Sequence, residues 1–272
     1  MEAASQLKRT TSGVRLRSVA LPAEHGGWSI VLEPIALGLI LSPTVPGLFL
    51  ALAATGAFLA RHPFKLAVGN YRRNHYSART VVAERFATAY FCIAILGLAV
   101  AIKTGGAALL LPLLLAAPTA ILQLFYDSIG RSRALIPELA GSISTGAVAA
   151  AIVMSGGWPR PAAFGLWVVL AARTVPTILY VRARLRLLHG KEASSSGVIS
   201  VHFLAVLAVL GLATLQLAPV LAVFAMSILL LRAMIGFSKS DRQVTAKKIG
   251  LREVGFGALT ILLVGLGYAF RT

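Results

Sequence analysis

The chain has 272 residues, 57% of them hydrophobic and 13% charged, with a mean hydropathy of +0.82 and a formal net charge of +17. So much apolar surface excludes a soluble globular domain and indicates a polytopic membrane protein. The cations stand between apolar segments and leave no room for a separate basic domain. This excludes nucleic acid as a partner and makes the anionic inner leaflet the natural one.

Residues 1–20 carry Lys8, Arg9, Arg15 and Arg17 and read as a basic cytoplasmic tail. They lack the apolar core and small-residue cleavage site of a signal peptide. Residues 21–272 read as a single transmembrane domain. Its first apolar run begins at Trp28 and ends near Ser42, with Glu33-Pro34 interrupting it, and a second covers about Val45 to Ala60.

The stretch from Arg61 to Arg85 is the most basic, with Arg61, Lys65, Arg72, Arg73, Arg79 and Arg85 set against one acid, Glu84. Asn70, Tyr71, Asn74, His75, Tyr76, Ser77 and Thr80 lie among these cations. Read as a helix continuing out of the bilayer, Arg61, Lys65 and Arg72 share one face by i, i+4, i+11 spacing. Two readings are open. The stretch is a solvated cytoplasmic loop, basic as such loops are, or an anion or lipid head-group site built on guanidinium forks.

From Phe86 to Tyr126 the chain is apolar except at KTGG, Lys103 to Gly106. One helix of that length would reach about 60 Å, twice a hydrocarbon core, so a hairpin of two spans is expected. Cys92, alone inside this run, excludes an internal disulfide and a cysteine metal cluster. Asp127 to Arg133 forms a short polar connection, and spans five and six cover about Ala134–Ser155 and Ala162–Val181. The basic loop RARLRLLHGKEASSS follows. Val198 to Leu231 repeats the length argument with QLAP as its bend, and Val254 to Phe270 is the ninth span. With the N-terminus cytoplasmic and the C-terminus outside, twenty-one Lys and Arg residues fall inside and three outside (Lys103, Arg160, Arg271). That is a strong positive-inside bias.

Charges within spans are costly and face a bundle interior or aqueous cavity. Glu33, Glu138, Arg173, Arg232 and Glu253 all fall in the cytoplasmic halves of their spans, level with Gln123, Tyr126 and Asp127. Arg173, Thr177, Tyr180 and Arg184 follow i, i+4, i+7, i+11 and form one polar stripe. Singly, each reads as a snorkelling side chain or a structural ion pair, Arg173 with Glu138 for instance. Together they suggest a cytoplasm-facing cavity lined by Glu33, Arg61, Asn70, Arg72, Asp127, Glu138, Arg173, Tyr180 and Arg184. Arg79 and the Glu24–His25 pair are further ligand-binding candidates. EPIALG at Glu33 and PELAG at Pro137 hint at a four-plus-four repeat with an added ninth helix.

EHGGWSIVLEP, the basic loop ending in ART, and QLFYDSIGRSRALIPELAG together resemble the YwiC-like family of bacterial membrane proteins, a family that implies no particular reaction. More distantly, the nine-span plan with polar loops after spans two and six is similar to the UbiA-type prenyltransferases. That resemblance implies an all-α, UbiA-like bundle. Those enzymes carry Asn-Asp-x-x-Asp-x-x-x-Asp after span two and a second aspartate-rich motif after span six, which hold magnesium against a prenyl diphosphate. Here Asn70 matches the leading asparagine, but Tyr71, Asn74 and Ala78 stand where the aspartates belong, and Tyr180-Val-Arg-Ala-Arg opens the second loop without one. Magnesium needs hard oxygen ligands that neither loop supplies, so no cofactor is expected, magnesium included. The expectation is a bacterial inner-membrane protein with an arginine-rich cavity for an anionic lipid or isoprenoid head group. A small-anion transporter and a non-catalytic scaffold are the alternatives.

Overall fold

The computed structural model describes residues 15–22, 25–238 and 244–270, and among them every regular element is helical. A one-turn helix, Arg17–Ala20, precedes nine longer ones: α1 (His25–Leu41), α2 (Val45–Arg72), α3 (Ala78–Gly105), α4 (Leu110–Ser128, entered through a 3₁₀ turn), α5 (Leu135–Ser155), α6 (Arg160–Leu188), α7 (Ser195–Thr214), α8 (Val220–Gly236) and α9 (Ala246–Phe270). Seven of these are long and apolar enough to cross a membrane, while the apolar segments Gly27–Leu41 of α1 and Val220–Gly236 of α8 are shorter. A 17-residue helix rises about 25 Å, a little under a hydrocarbon core of roughly 30 Å.

Local sequence accounts for the boundaries. Thr44 accepts from the Gly47 amide at the head of α2, Ser77 and Thr80 form a capping box on α3, and Ser194 caps α7 through Gly197. The α3–α4 bend turns on Gly106 at φ 79°, a left-handed conformation that costs glycine little. Three boundaries differ from the sequence expectation. Glu33-Pro34 does not interrupt α1, which runs through it, as α2, α4 and α6 run through Pro63, Pro118 and Pro176. In an apolar setting breaking the ladder would strand many backbone groups, so the helix continues and the one carbonyl each proline frees is satisfied by neighbouring groups or local adjustment. Second, α2 continues to Arg72 and α3 begins at Ala78, so all of the basic stretch except residues 73–77 is helix rather than loop. Third, α6 reaches Leu188 and α9 begins at Ala246, each beyond its apolar core.

The centre is α5 against α6, with Ala147, Ala149, Ala150, Ala151, Ala163, Leu166 and Val169 fully buried. Small residues let backbones approach closely where the surroundings are as apolar as the helices themselves. The helices alternate in direction, and their ends gather into two layers. At one end Thr44 Oγ1 lies 3.3 Å from Ser155 Oγ, Tyr268 donates to the Leu217 carbonyl at 3.1 Å, and the Trp158 and Tyr268 rings meet at 4.9 Å. At the other, Lys65 donates to Ser132, Arg72 to the Ser128 carbonyl and Arg182 to the Arg133 carbonyl, at 2.7, 2.6 and 3.0 Å. The basic connections lie in this second layer, and Lys103 and Arg160 lie in the first.

Candidate functional site

Every intramembrane charge expected from the sequence is partnered, and the partners tie the helices together. Arg173 of α6 donates through Nη2 to Glu33 Oε1 of α1 at 2.8 Å and to the Glu253 carbonyl of α9 at 3.3 Å. Arg232 of α8 donates to Glu253 Oε1 at 2.9 Å and to Thr177 of α6 at 3.2 Å, with its guanidinium 4.1 Å from the Tyr180 ring centroid. Four charges from four helices thus form one buried, charge-balanced chain. Arg184 completes the stripe by donating to the Gly236 carbonyl. The i, i+4, i+7, i+11 pattern is therefore a single buried face, with Arg173, Thr177, Tyr180 and Arg184 each at most 6% exposed.

The expected Arg173–Glu138 pair does not form. Glu138 lies one turn inside α5, level with the end of α6, where Arg182 reaches it at 2.7 Å. Arg173 sits nine residues earlier, about 13 Å up the helix, and meets Glu33 instead. The sequence read depth along each span, but neighbours across the bundle depend on packing.

A residue that the sequence reading passed over makes the network possible. At Gly257 of α9 a Cβ would stand 2.6 Å from Arg173 Nη2 and closer still to Glu33 Oε1. Only a glycine lets α9 lie against the Glu33–Arg173 pair.

The basic stripe of α2 behaves the same way. Arg61 grips the buried Asp127 with a two-pronged fork, Nη2 to Oδ1 at 3.0 Å and Nε to Oδ2. The Gln123 amide, oriented with its oxygen toward Arg61, accepts from Nη1 at 2.9 Å. Lys65 and Arg72 then reach Ser132 and Ser128. The i, i+4, i+11 face is real, and it clamps α2 to the end of α4 and the turn after it. Beyond it, Asn70 donates to Thr80 at 2.9 Å, and the hydroxyls of Tyr71 and Tyr76 both reach Glu84.

A cavity of about 2190 Å³ opens between these clusters. Ligand pockets commonly hold about 300–1,000 Å³, so this one has room for more than a compact solute. Its walls change character along their length. Phe58, Phe91, Leu113, Ala116, Ala120 and Leu124 line one part, Ser142, Thr145, Thr174 and Thr177 bring hydroxyls to its interior, and Arg133, Arg182, Arg186 and Lys247 stand at the basic layer.

Of the candidate ligand-binding residues, Arg61, Glu138 and Arg173 line this cavity. Glu33, Asp127, Tyr180 and Arg184 are buried in packing beside it, and Asn70, Arg72 and Arg79 lie at the basic end of α2 and α3. Glu24 and the side chain of His25 lie outside the described residues. The sequence reading missed Arg182, Arg186 and Lys247. The i, i+4 spacing of Arg182 and Arg186 was a usable sign that both point the same way from α6.

No curated protein and no solved structure matches the chain. Residues 21–153 match the family model described as YwiC-like protein. The matched segment holds every motif that carried the resemblance, from EHGGW to PELAG, and ends before α6, so Arg173, Tyr180 and Arg184 lie beyond it. From the start of α1 into the last turn of α5, this multi-pass, all-helical chain is similar to the YwiC-like family.

Proposed function

We propose that the protein is a bacterial inner-membrane protein that holds an amphipathic anion, an anionic lipid or an isoprenoid phosphate, in the cavity lined by α1 to α7 and α9. In this reading the basic layer faces the cytoplasm, the N-terminus is cytoplasmic and the C-terminus outside. All nine long helices then count as spans of a UbiA-like bundle. The observation that carries the proposal is the change of wall along the cavity, from Phe58, Phe91 and Leu113 to Arg133, Arg182, Arg186 and Lys247. A chain-like ligand would bury its apolar tail in the first part and leave its phosphate among the cations, which bind oxyanions through forked or point-charge contacts.

The head-group role moves accordingly from the deep arginines to the rim. Arg61 and Arg173 hold buried carboxylates that an incoming anion would leave uncompensated, whereas Arg182 holds the partly exposed Glu138, which solvent can stabilise once released. Arg186 donates through Nε to the Glu192 carbonyl at 3.1 Å, an exposed bond that it can exchange for a ligand at little cost. No metal is part of the proposal, since the cations themselves supply the positive charge.

Native mass spectrometry of the protein released from mild detergent tests this. An isoprenoid phosphate or other anionic lipid should co-purify, and the Arg182→Ala/Arg186→Ala variant should lose it while keeping its fold. Protein that carries no amphipath in either form would overturn the reading and favour a small-anion pathway or a scaffold.

A further inference from the structure

Beside the large cavity, with Ser132 and Arg133 as the shared wall, the turn between α4 and α5 carries a second cleft of about 420 Å³, lined by Lys65, Gly130, Arg131, Ser132, Arg133 and Ala134. Three of its six lining residues are cations and none is acidic. The two nearest carboxylates on these helices are already engaged, Asp127 by Arg61 and Glu138 by Arg182. Lys65 reaches across from α2 and donates to Ser132 Oγ at 2.7 Å. The hydroxyl is thereby fixed as an acceptor toward Lys65, and its own proton is free to be donated elsewhere. Lysine ammonium, arginine guanidinium and serine hydroxyl donors around one cleft are the donor set of a phosphate oxyanion site.

The surroundings say where such a phosphate would come from. Phe125 of α4 and Ile136 of α5 flank the turn and are 57% and 52% exposed. The turn therefore stands at the junction of an apolar, outward-facing helix surface and the basic layer. A soluble phosphate has no use for the apolar flank, whereas a membrane phospholipid carries its phosphate directly beside its acyl chains.

We infer that the Lys65–Arg131–Ser132–Arg133 cleft is a binding site for the phosphodiester head group of an anionic membrane phospholipid, distinct from the cavity ligand. Bound there, the lipid would tie α2 to the α4–α5 turn from outside, as Arg61–Asp127 does from within. Basic pockets between helices on the cytoplasmic side bind anionic head groups in this manner.

The test is retention of added lipid by the intact protein in detergent micelles, read by native mass spectrometry, with phosphatidylglycerol and phosphatidylcholine as probes. Phosphatidylglycerol should be retained over phosphatidylcholine. The Lys65→Ala/Arg131→Ala variant should lose that preference, with about a tenfold fall in retention, on the scale of interfacial Lys and Arg contacts. The Arg182→Ala/Arg186→Ala variant, which empties the cavity of its co-purified amphipath, should still retain added phosphatidylglycerol over phosphatidylcholine, which separates this cleft from the cavity reading. Lys65→Arg/Arg131→Lys, which keeps both charges, should retain phosphatidylglycerol, and its failure to do so while folded would overturn the inference. Equal retention of the two lipids would overturn the inference. So would equal loss from an Arg79→Ala/Arg85→Ala variant, or full competition by glycerol 3-phosphate, which would assign the cleft to a soluble phosphate.

Discussion

Replacing Arg173 with alanine tests the buried network most directly. Its side chain is 5% exposed and that of its partner Glu33 is 8% exposed, with 2.8 Å between Nη2 and Oε1. Removing the guanidinium leaves the Glu33 carboxylate buried with no cation beside it, and breaking a buried pair from one side costs about 3–5 kcal/mol. Arg173 also holds the Glu253 carbonyl, so α9 loses one of its ties to α6 in the same step. The double variant Arg173→Ala/Glu33→Ala removes the stranded charge and should recover most of the loss, about 2–4 kcal/mol of it, leaving a cavity penalty. Arg173→Ala/Glu138→Ala should recover nothing, because Glu138 is held by Arg182. Thermal unfolding in a single detergent across the three variants measures this. Recovery with Glu138 and none with Glu33 would refute the network as described.

Four further outcomes are expected. Arg182→Ala should cost under about 1 kcal/mol, because that pair is roughly one-third exposed on both sides and solvent-screened; unfolding measured beside Arg173→Ala gives the contrast. Gly257→Ala should destabilise by about 1–3 kcal/mol through overpacking against the Glu33–Arg173 pair, and a neutral result would show that α9 can shift away at no cost. In a Cys92→Ala background, cysteines at Lys103 and Arg160 should react with a membrane-impermeant thiol reagent from outside, and cysteines at Asn74 and Ser195 should not; the reverse pattern would invert the topology. Lipid binding should survive chelation of divalent cations, and loss on chelation with rescue by magnesium would turn attention to Asp127 and Glu138 as ligands.

The sequence by itself determined that the chain is helical and membrane-embedded, where its apolar segments lie, and that its cations gather in one layer, though not that α2, α6 and α9 run two to three turns past those segments. These properties follow from apolar run length, capping residues and the order of charges along the chain, all of which are local. It also determined which residues share a helix face, as the α2 stripe and the α6 stripe show, since that depends only on a rise and a rotation per residue.

Which face meets which was decided by the tertiary structure. Arg173 chose Glu33 over Glu138, two carboxylates that the sequence placed at similar depth, because α1 and α9 close around α6 while Glu138 lies level with its end. Gly257 matters only once α9 is laid on that pair, and nothing in its own neighbourhood marks it out from the other glycines of α9. The cavity, too, is a property of eight helices at once. Periodicity could say that Arg182 and Arg186 point the same way, but only the packing of α1, α2, α4 and α5 opposite them leaves a space for that direction to face.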